Sequence, residues 1–162
     1  MKLAIVQDYL RGGGTEKNTV FLANAFCAKG WSVDVVCFRP GGVLRPELHA
    51  DVGVYPLQSS DTGLNFFAPG LRRTLCQRAP DIVLLMGRMA NAKGGRVRKV
   101  LPDTPIVATL RTGNRLPAGT RKTFLVADFV LTNSAWASQR AVAAGASPGR
   151  SAVLHNSITR KW

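Results

Sequence analysis

The 162-residue sequence has few of the side chains from which metal centres and thiol sites are built. It contains two histidines, His49 and His155, and three cysteines, Cys27, Cys37 and Cys76. No CxxC pair and no histidine pair at metal-ligand spacing occurs. The cysteines lie in apolar segments with no histidine close by in the sequence, so we predict buried, reduced thiols. We expect no metal site and no disulfide.

Long apolar runs and two nucleotide-binding motifs are also missing. No run approaches the length of a membrane-spanning helix, and the apolar run after Met1 and Lys2 is too short for a signal peptide, so a cytoplasmic protein is expected. A GxGxxG fingerprint that starts at Gly12 would need glycine where Lys17 stands, and no acidic residue closes the second strand. The P-loop pattern GxxxxGK[ST] does not occur. These observations exclude the common dinucleotide and P-loop classes.

Acidic residues are scarce, and the formal net charge is +13. Residues 1–80 hold 9 Lys/Arg against 6 Asp/Glu, whereas residues 81–162 hold 13 against 3. This bias favours phosphorylated substrates, polyanions or an anionic membrane surface, although a basic surface that serves only solubility is the alternative. Because no continuous Lys/Arg block or interleaved aromatic stripe occurs, nucleic acid is not the expected partner.

Strand and helix patterns alternate along the whole chain. The strand KLAIVQ is followed by a helix over about Thr15 to Lys29 and by the strand WSVDVVCF, which together form a βαβ unit. DVGVYPL, DIVLLM, TPIVATL, DFVLTN and SAVLHNSI are further strands. The helices between them are APGLRRTLCQRA, RMANAKGGRVRKVL with a kink at Gly94 and Gly95, PAGTRKTFLVA and SAWASQRAVAAGA. The pattern predicts an α/β fold, a Rossmann-like doubly wound parallel sheet flanked by helices.

Ligands of such sheets bind beyond the carboxyl ends of the strands. That rule selects the loops 8–14, 87–90, 111–115, 133–135 and 155–157. The first loop contains three consecutive glycines and precedes a helix, where free N–H groups and the helix dipole favour an anion such as phosphate. A flexible turn without a ligand is the alternative interpretation.

Several segments, in the right order, resemble group 1 glycosyltransferases, the retaining family 4 with the GT-B fold. GGGTEKNTVFLANAFCAKGWSVDVVCF is similar to the family's GGxE(R/K) element, its LAxxLxxxGHxVxVV helix and its second strand. RRTLCQRAPDIVLLM is similar to lrrxxPDIVh, DFVLTNSAWASQRAVAAG to AdxviaxSxxxxxxlxxxG, and SAVLHNSI to xxVIxNGVD. The chain departs from the family where Arg111 replaces the histidine of xPxVxTxH, where the aromatic or histidine after PDIV is missing, and where the terminal Gly-Val-Asp reads Ser157, Ile158 and Thr159.

The resemblance implies that residues 1–162 are the amino-terminal, acceptor-side half of a GT-B fold, without the carboxyl-terminal domain that carries E-x7-E and binds the nucleotide sugar. The implied reaction moves a sugar from a nucleotide-diphosphate sugar to a glycan or lipid-linked acceptor with retention, without metal or another cofactor. We expect a role in glycan biosynthesis such as that of lipopolysaccharide, a location at the inner face of the membrane, and no activity for the fragment alone. A non-catalytic binding module for a phosphorylated or nucleotide ligand is the alternative.

The resemblance also implies site residues, although it leaves the catalytic residues unassigned. Gly13 and Gly14 would bind the donor diphosphate through their amides. Glu16 matches the family's GGxE element and is expected to contact the acceptor or the cleft. The same contacts are expected, from positions after predicted strands rather than from the resemblance, of Arg88, Arg111, Thr112, Asn133, Ser134 and Asn156, with Arg88 and Arg111 binding a phosphate or carboxylate of the acceptor. Alternative roles are a first-turn stabiliser for Glu16, surface exposure for Arg88 and Arg111, and helix capping for Ser134.

His155 is expected to be a packed histidine at a strand end rather than a general base.

Overall fold

Seven parallel strands form a single sheet in the computed structural model, which describes residues 1–155. The strands are β1 (Lys2–Gln7), β2 (Ser32–Cys37), β3 (Gly53–Pro56), β4 (Ile82–Leu85), β5 (Ile106–Leu110), β6 (Phe129–Thr132) and β7 (Ser151–Val153). Their order across the sheet is β3-β2-β1-β4-β5-β6-β7, and every neighbouring pair is parallel. The predicted doubly wound parallel sheet is therefore confirmed.

Six α-helices, with two short 3-10 helices at Arg45–Glu47 and Pro148–Arg150, connect the strands within the described residues. They are α1 (Gly14–Ala28), α2 (Leu71–Arg78), α3 (Arg88–Ala92), α4 (Gly94–Val100), α5 (Ala118–Val126) and α6 (Ala135–Ala143). Over residues 1–155, no helix combines the length and the hydropathy that crossing a membrane requires.

Both faces of the sheet are covered, which is why its strands are continuous apolar runs. Along β1, Leu3 and Ile5 pack with Val20 of α1 on one face, whereas Ala4 packs with Leu75 of α2 on the other. Full burial of one such large side chain contributes about 1.5–3 kcal/mol. The alternation of side chains along each strand therefore builds two cores from one apolar run.

The helix predicted for RMANAKGGRVRKVL is two helices, α3 and α4, separated at Lys93. Gly94 is buried, and a Cβ there would collide with the side chain of Thr123 on α5. The glycine therefore allows a close approach between α4 and α5, which explains the predicted kink.

Two ends of elements differ from the prediction. Helix α1 begins and ends one residue earlier than expected, at Gly14 and Ala28. The last strand is shorter than SAVLHNSI, since β7 covers only Ser151–Val153, and residues 156–158 lie outside the described part of the chain. His155 follows this strand and is exposed, so its expected packing is wrong.

The direction in which strands are added reverses beside β1. Strands β2 and β3 extend the sheet to one side of β1, and β4 to β7 extend it to the other. In a doubly wound sheet the loops that leave such a point diverge and leave a crevice at the carboxyl ends of the strands. The loops after β1 and β4 are therefore where a ligand site is expected.

Candidate functional site

A cleft of about 280 Å³ lies at the carboxyl ends of β1, β4 and β5. Its walls come from the β1–α1 loop with the first turn of α1, from the start of α3, and from the loop after β5. Three of the predicted residues, Glu16, Arg88 and Thr112, line this cleft together. The tertiary structure thus brings residues almost 100 positions apart to one place.

The glycine loop leads directly into α1. Gly13 is the residue before the helix, with φ −78° and ψ 165°, and Gly14 is the first helical residue. The first intrahelical hydrogen bond runs from Lys17 N to Gly13 O (3.0 Å), so the amides of Gly14 and Thr15 have no acceptor inside the helix. Neither glycine is among those with positive φ. Backbone strain therefore does not explain either glycine.

The two glycines differ in how much space they leave. A Cβ at Gly13 would meet the carboxylate Oε2 of Glu16, whereas a Cβ at Gly14 would meet no atom within 4 Å in the described chain. The approach to the main chain is thus covered at Gly13 and open at Gly14.

Glu16 lies in the first turn of α1 and forms an ion pair with Arg11 (Nε to Oε1, 3.4 Å). Its side chain is 14% exposed against 49% for that of Arg11. A carboxylate in the first turn stabilises the positive end of the helix dipole. The same carboxylate lines the cleft, so the structure is compatible with both roles weighed for Glu16.

Asp8, which follows β1, is a cleft residue that sequence reasoning did not select. It is only 7% exposed, and its carboxylate accepts hydrogen bonds from Met89 N (2.9 Å) and Ala90 N (2.6 Å) in the first turn of α3. Gly87, the residue before that helix, has no side chain with which to cap it, so Asp8 caps α3 across the cleft. Its position after an apolar strand was the available signal, but its partners lie 81 and 82 residues away.

Burial raises the pKa of Asp8 from 3.8 to about 6, and the hydrogen bonds from Met89 and Ala90 oppose that rise. Such a pKa suits proton transfer near neutral pH. Both carboxylate oxygens, however, already accept hydrogen bonds from α3. The geometry therefore gives Asp8 a positioning role: it fixes the start of α3, where Arg88 stands.

Close contact between Asp8 and α3 depends on Gly87. A Cβ at Gly87 would collide with the carboxylate and the backbone nitrogen of Asp8. Asn91, one turn further along, is buried and donates to Leu85 O (3.0 Å) and Gly87 O (2.8 Å) while its Oδ1 accepts from Thr109 N (2.9 Å). These bonds tie α3 to the ends of β4 and β5.

Arg88 and Arg111 occupy different environments. Arg88 is exposed, and its Nη2 donates to Arg115 O (3.2 Å). Arg111 is half-buried and, with Arg88 and Thr112, lines a second cavity of about 40 Å³ next to the cleft. Burial lowers the pKa of the Arg111 guanidinium. The surface alternative thus describes Arg88 better than Arg111.

Two of the remaining predicted residues, Asn133 and Ser134, do not line the cleft in the described part of the chain. Ser134 caps α6, with its Oγ accepting from Ala137 N (3.2 Å), which confirms the capping alternative. Asn133 follows β6 and is not among the residues that line the cleft in the described chain. Asn156 falls outside the described residues.

The prediction of three buried cysteines holds for one of them. Cys37 is buried, and burial raises the pKa of its thiol to about 12. Cys27 is half-buried and Cys76 is exposed, so these two predictions are wrong. His49 Nδ1 lies 3.8 Å from Cys27 Sγ, which corrects the expectation that no histidine is near a cysteine.

That thiol and imidazole form a group with Asp51 whose ligand atoms all lie within 4.8 Å of one another. His49 Nδ1, however, accepts a hydrogen bond from Asp51 N (3.3 Å), so its lone pair is already engaged. We therefore assign no metal to this group.

The sequence model of Glycosyltransferase Family 4 matches residues 12–161. The chain belongs to glycosyltransferase family 4. The match includes the three glycines and strands β2 to β7, whereas β1 and the cleft residues Asp8 and Arg11 precede it, and the resemblance stated from the sequence is confirmed. No curated protein sequence matches this family 4 chain.

Solved structures share its fold at low sequence identity. HepE from Anabaena, solved with UDP and glucose, is 19% identical with a TM-score of 0.71, and the alignment covers 98% of this chain and 45% of HepE. The lipopolysaccharide outer core galactosyltransferase WaaB is 14% identical with a TM-score of 0.69, covering 98% of this chain and 46% of WaaB.

A UDP-GlcNAc 2-epimerase from Methanocaldococcus jannaschii has the same fold, with 16% identity, a TM-score of 0.63, and coverage of 96% and 46%. The chain therefore corresponds to the Rossmann-like half of a GT-B fold and spans just under half the length of these relatives. Because an epimerase is among them, the fold alone does not specify sugar transfer.

Proposed function

We propose that the chain is the amino-terminal, acceptor-side half of a retaining glycosyltransferase. The reaction moves a sugar from a nucleotide-diphosphate sugar to a glycan or lipid-linked acceptor. The observation that carries the proposal is the family 4 match, which includes the glycine loop whose amides begin α1 beside the cleft. The likeness to HepE, which was also solved with UDP-glucose, supports a nucleotide sugar as donor.

Positive groups near the departing diphosphate stabilise the transition state, because negative charge grows there as the sugar leaves. Gly13 and Gly14 are not among the residues that line the cleft in the described chain, but Thr15 is, so the first turn of α1 and the positive end of its dipole lie beside this place. Arg88, which lines the same cleft, adds a cation, whereas the charge of Arg11 there is paired with Glu16. We propose that these groups, with cations from the other half of the enzyme, do this work without a metal ion or another cofactor.

The proposal also includes a carboxyl-terminal domain in the same polypeptide and a location at the inner face of the membrane. The aligned enzymes are about twice as long as this chain, which supports a carboxyl-terminal nucleotide-sugar-binding domain in the same polypeptide. The likeness to WaaB supports a surface glycan such as lipopolysaccharide as the product class. A basic chain of +13 that works in the cytoplasm would meet anionic lipids at the inner face of the membrane. Family membership favours this enzyme over the alternative of a non-catalytic binding module.

Donor consumption by the full-length protein tests the proposal. We expect release of nucleoside diphosphate that depends on acceptor, a product whose anomeric configuration by NMR equals that of the donor, and negligible release by residues 1–162 alone. An inverted product would refute retention. Equal turnover by residues 1–162 would refute the shared, two-domain site.

Gly14→Ala in the full-length protein tests the glycine loop. The added methyl meets no atom of residues 1–155 within 4 Å but stands where the diphosphate would approach, so we expect a loss in turnover of roughly 10²-fold, as for a misplacement of 1 Å. Stability should not fall, because replacing a helical glycine by alanine typically adds about 0.4–1 kcal/mol.

The matched control is Gly95→Ala in α4, where a Cβ would have only one neighbour, at 4.0 Å. It should show the same gain in melting temperature with unchanged turnover. Normal turnover by Gly14→Ala would show that the diphosphate does not bind at this loop.

A further inference from the structure

Four arginines line a cavity of about 750 Å³ that opens beside the cleft. They come from α3, from the loop after β5, from α5 and from α6: Arg88, Arg115, Arg121 and Arg140. The other lining residues are alanines, a leucine and a proline, so no acidic residue of the described chain belongs to the lining. The volume lies within the range of small-molecule sites, roughly 300–1,000 Å³.

The positive charge of this cavity is not neutralised within the described part of the chain. None of its four arginines forms an ion pair with a carboxylate of residues 1–155. Elsewhere, arginines are paired, as in Arg39 with Asp61 and Arg78 with Asp34. A group of like charges without counter-charges raises the local potential and attracts anions.

Two of the guanidinium groups are held in place by neutral partners. Arg140 Nη1 donates to Gly113 O (2.9 Å), its Nη2 donates to Asn114 O (3.3 Å), and the guanidinium lies over the Trp136 ring, 4.7 Å from its centroid. Arg88 is held by its bond to Arg115 O. Carbonyl and ring partners fix the geometry and leave the charge intact, so little ordering entropy is lost when an anion binds.

The cavity adjoins the proposed reaction site through Arg88, which lines both the cleft and the cavity. A molecule whose anionic end occupied the cavity would have its other end next to the cleft. Planar guanidinium groups match phosphoryl oxygens in bidentate geometry, and several converging arginines suit a group with more than one negative charge.

We propose that the arginine-lined cavity binds the phosphoryl group of the acceptor substrate. This inference rests on the proposed function, since it assigns a phosphorylated class of acceptor to the same enzyme. The phosphoryl group belongs either to a soluble phosphorylated saccharide or to a lipid headgroup, and the two sources share the same chemistry at the cavity.

The test measures binding of inorganic pyrophosphate to the full-length protein by isothermal titration calorimetry. Arg115→Gln and Arg121→Gln remove one exposed charge each, and every lost charge-assisted hydrogen bond should weaken the affinity about tenfold. The control is Arg72→Gln, an exposed arginine on α2, which should change the affinity less than about twofold. Because no donor and no sugar transfer is involved, a failure here is distinguishable from a failure of the proposed function.

Two results would overturn the proposal. The first is that the wild-type protein does not bind pyrophosphate. The second is that the double variant Arg115→Gln/Arg121→Gln binds pyrophosphate with the same affinity as Arg72→Gln. Co-sedimentation with phosphatidylglycerol vesicles then separates the sources. A double variant that loses both pyrophosphate and vesicle binding supports a lipid-borne phosphoryl group. One that loses pyrophosphate binding alone supports a soluble phosphorylated acceptor.

Discussion

Asp8→Asn should change how the stability of the protein depends on pH. In the folded chain, burial raises the pKa of Asp8 from 3.8 to about 6. Between these values the folded state binds more protons than the unfolded state, so stability falls as pH rises. The contribution of Asp8 is complete below about pH 4 and is lost as pH passes through about 6.

The size of this effect follows from the two pKa values. A pKa of about 6 in the folded state against 3.8 in the unfolded state corresponds to a full difference of about 3 kcal/mol, of which about 2 kcal/mol is lost between pH 4 and pH 7. Asparagine cannot ionise, so this loss disappears in the variant. The variant has its own cost, since the amide oxygen can accept from Ala90 N while the NH₂ group faces the Met89 N–H. A buried donor left without an acceptor costs about 1–3 kcal/mol.

Urea denaturation from pH 4 to pH 7, followed by tryptophan fluorescence, measures both the pH-dependent loss of stability and the cost of the substitution itself. We expect Asp8→Asn to be less stable than the wild type at pH 4 and to approach it at pH 7. Asp103→Asn, which changes an exposed carboxylate before β5, is the control and should run parallel to the wild type. If the curve of Asp8→Asn also ran parallel to that of the wild type, the buried carboxylate would not be the source of the pH dependence.

Two further substitutions test how α3 is held in place. Gly87→Ala should destabilise the fold by about 1–3 kcal/mol in a thermal melting experiment, because its Cβ collides with Asp8. The control is Gly149→Ala, where a Cβ has no neighbour within 4 Å in the described chain, and this variant should be nearly neutral. Asn91→Ala should cost about 1–3 kcal/mol, because the buried Thr109 N–H loses its acceptor whereas the Leu85 carbonyl keeps Thr109 Oγ1 as a donor, and a loss below 1 kcal/mol in urea denaturation would contradict this account.

Local patterns in the sequence determined most of the architecture. Apolar runs such as LAIV and IVLL predicted strands buried on both faces, and the helix between β1 and β2 was placed within one residue at each end. Ser134 was weighed as a helix cap and is one. These features depend on neighbours only a few residues apart, and side chains of such neighbours interact directly with the local backbone.

The order of the motifs determined the family. The glycine loop, the PDIV strand and the serine before α6 are separately weak, but together they predicted the family 4 assignment that the match over residues 12–161 confirms. The same reasoning selected the loops at the carboxyl ends of the strands. Glu16, Arg88 and Thr112 do share one cleft there.

Only the tertiary structure decided which side chains meet. Asp8 and Met89 are 81 residues apart, and Arg140 and Gly113 are 27 apart, yet each pair is in hydrogen-bond contact. The same long-range packing placed His49 beside Cys27, which no spacing rule indicated. The physical reason is that strand order, with β4 beside β1 and β6 beside β5, sets these distances. Strand order arises from the packing of the whole sheet, and a local pattern does not encode it.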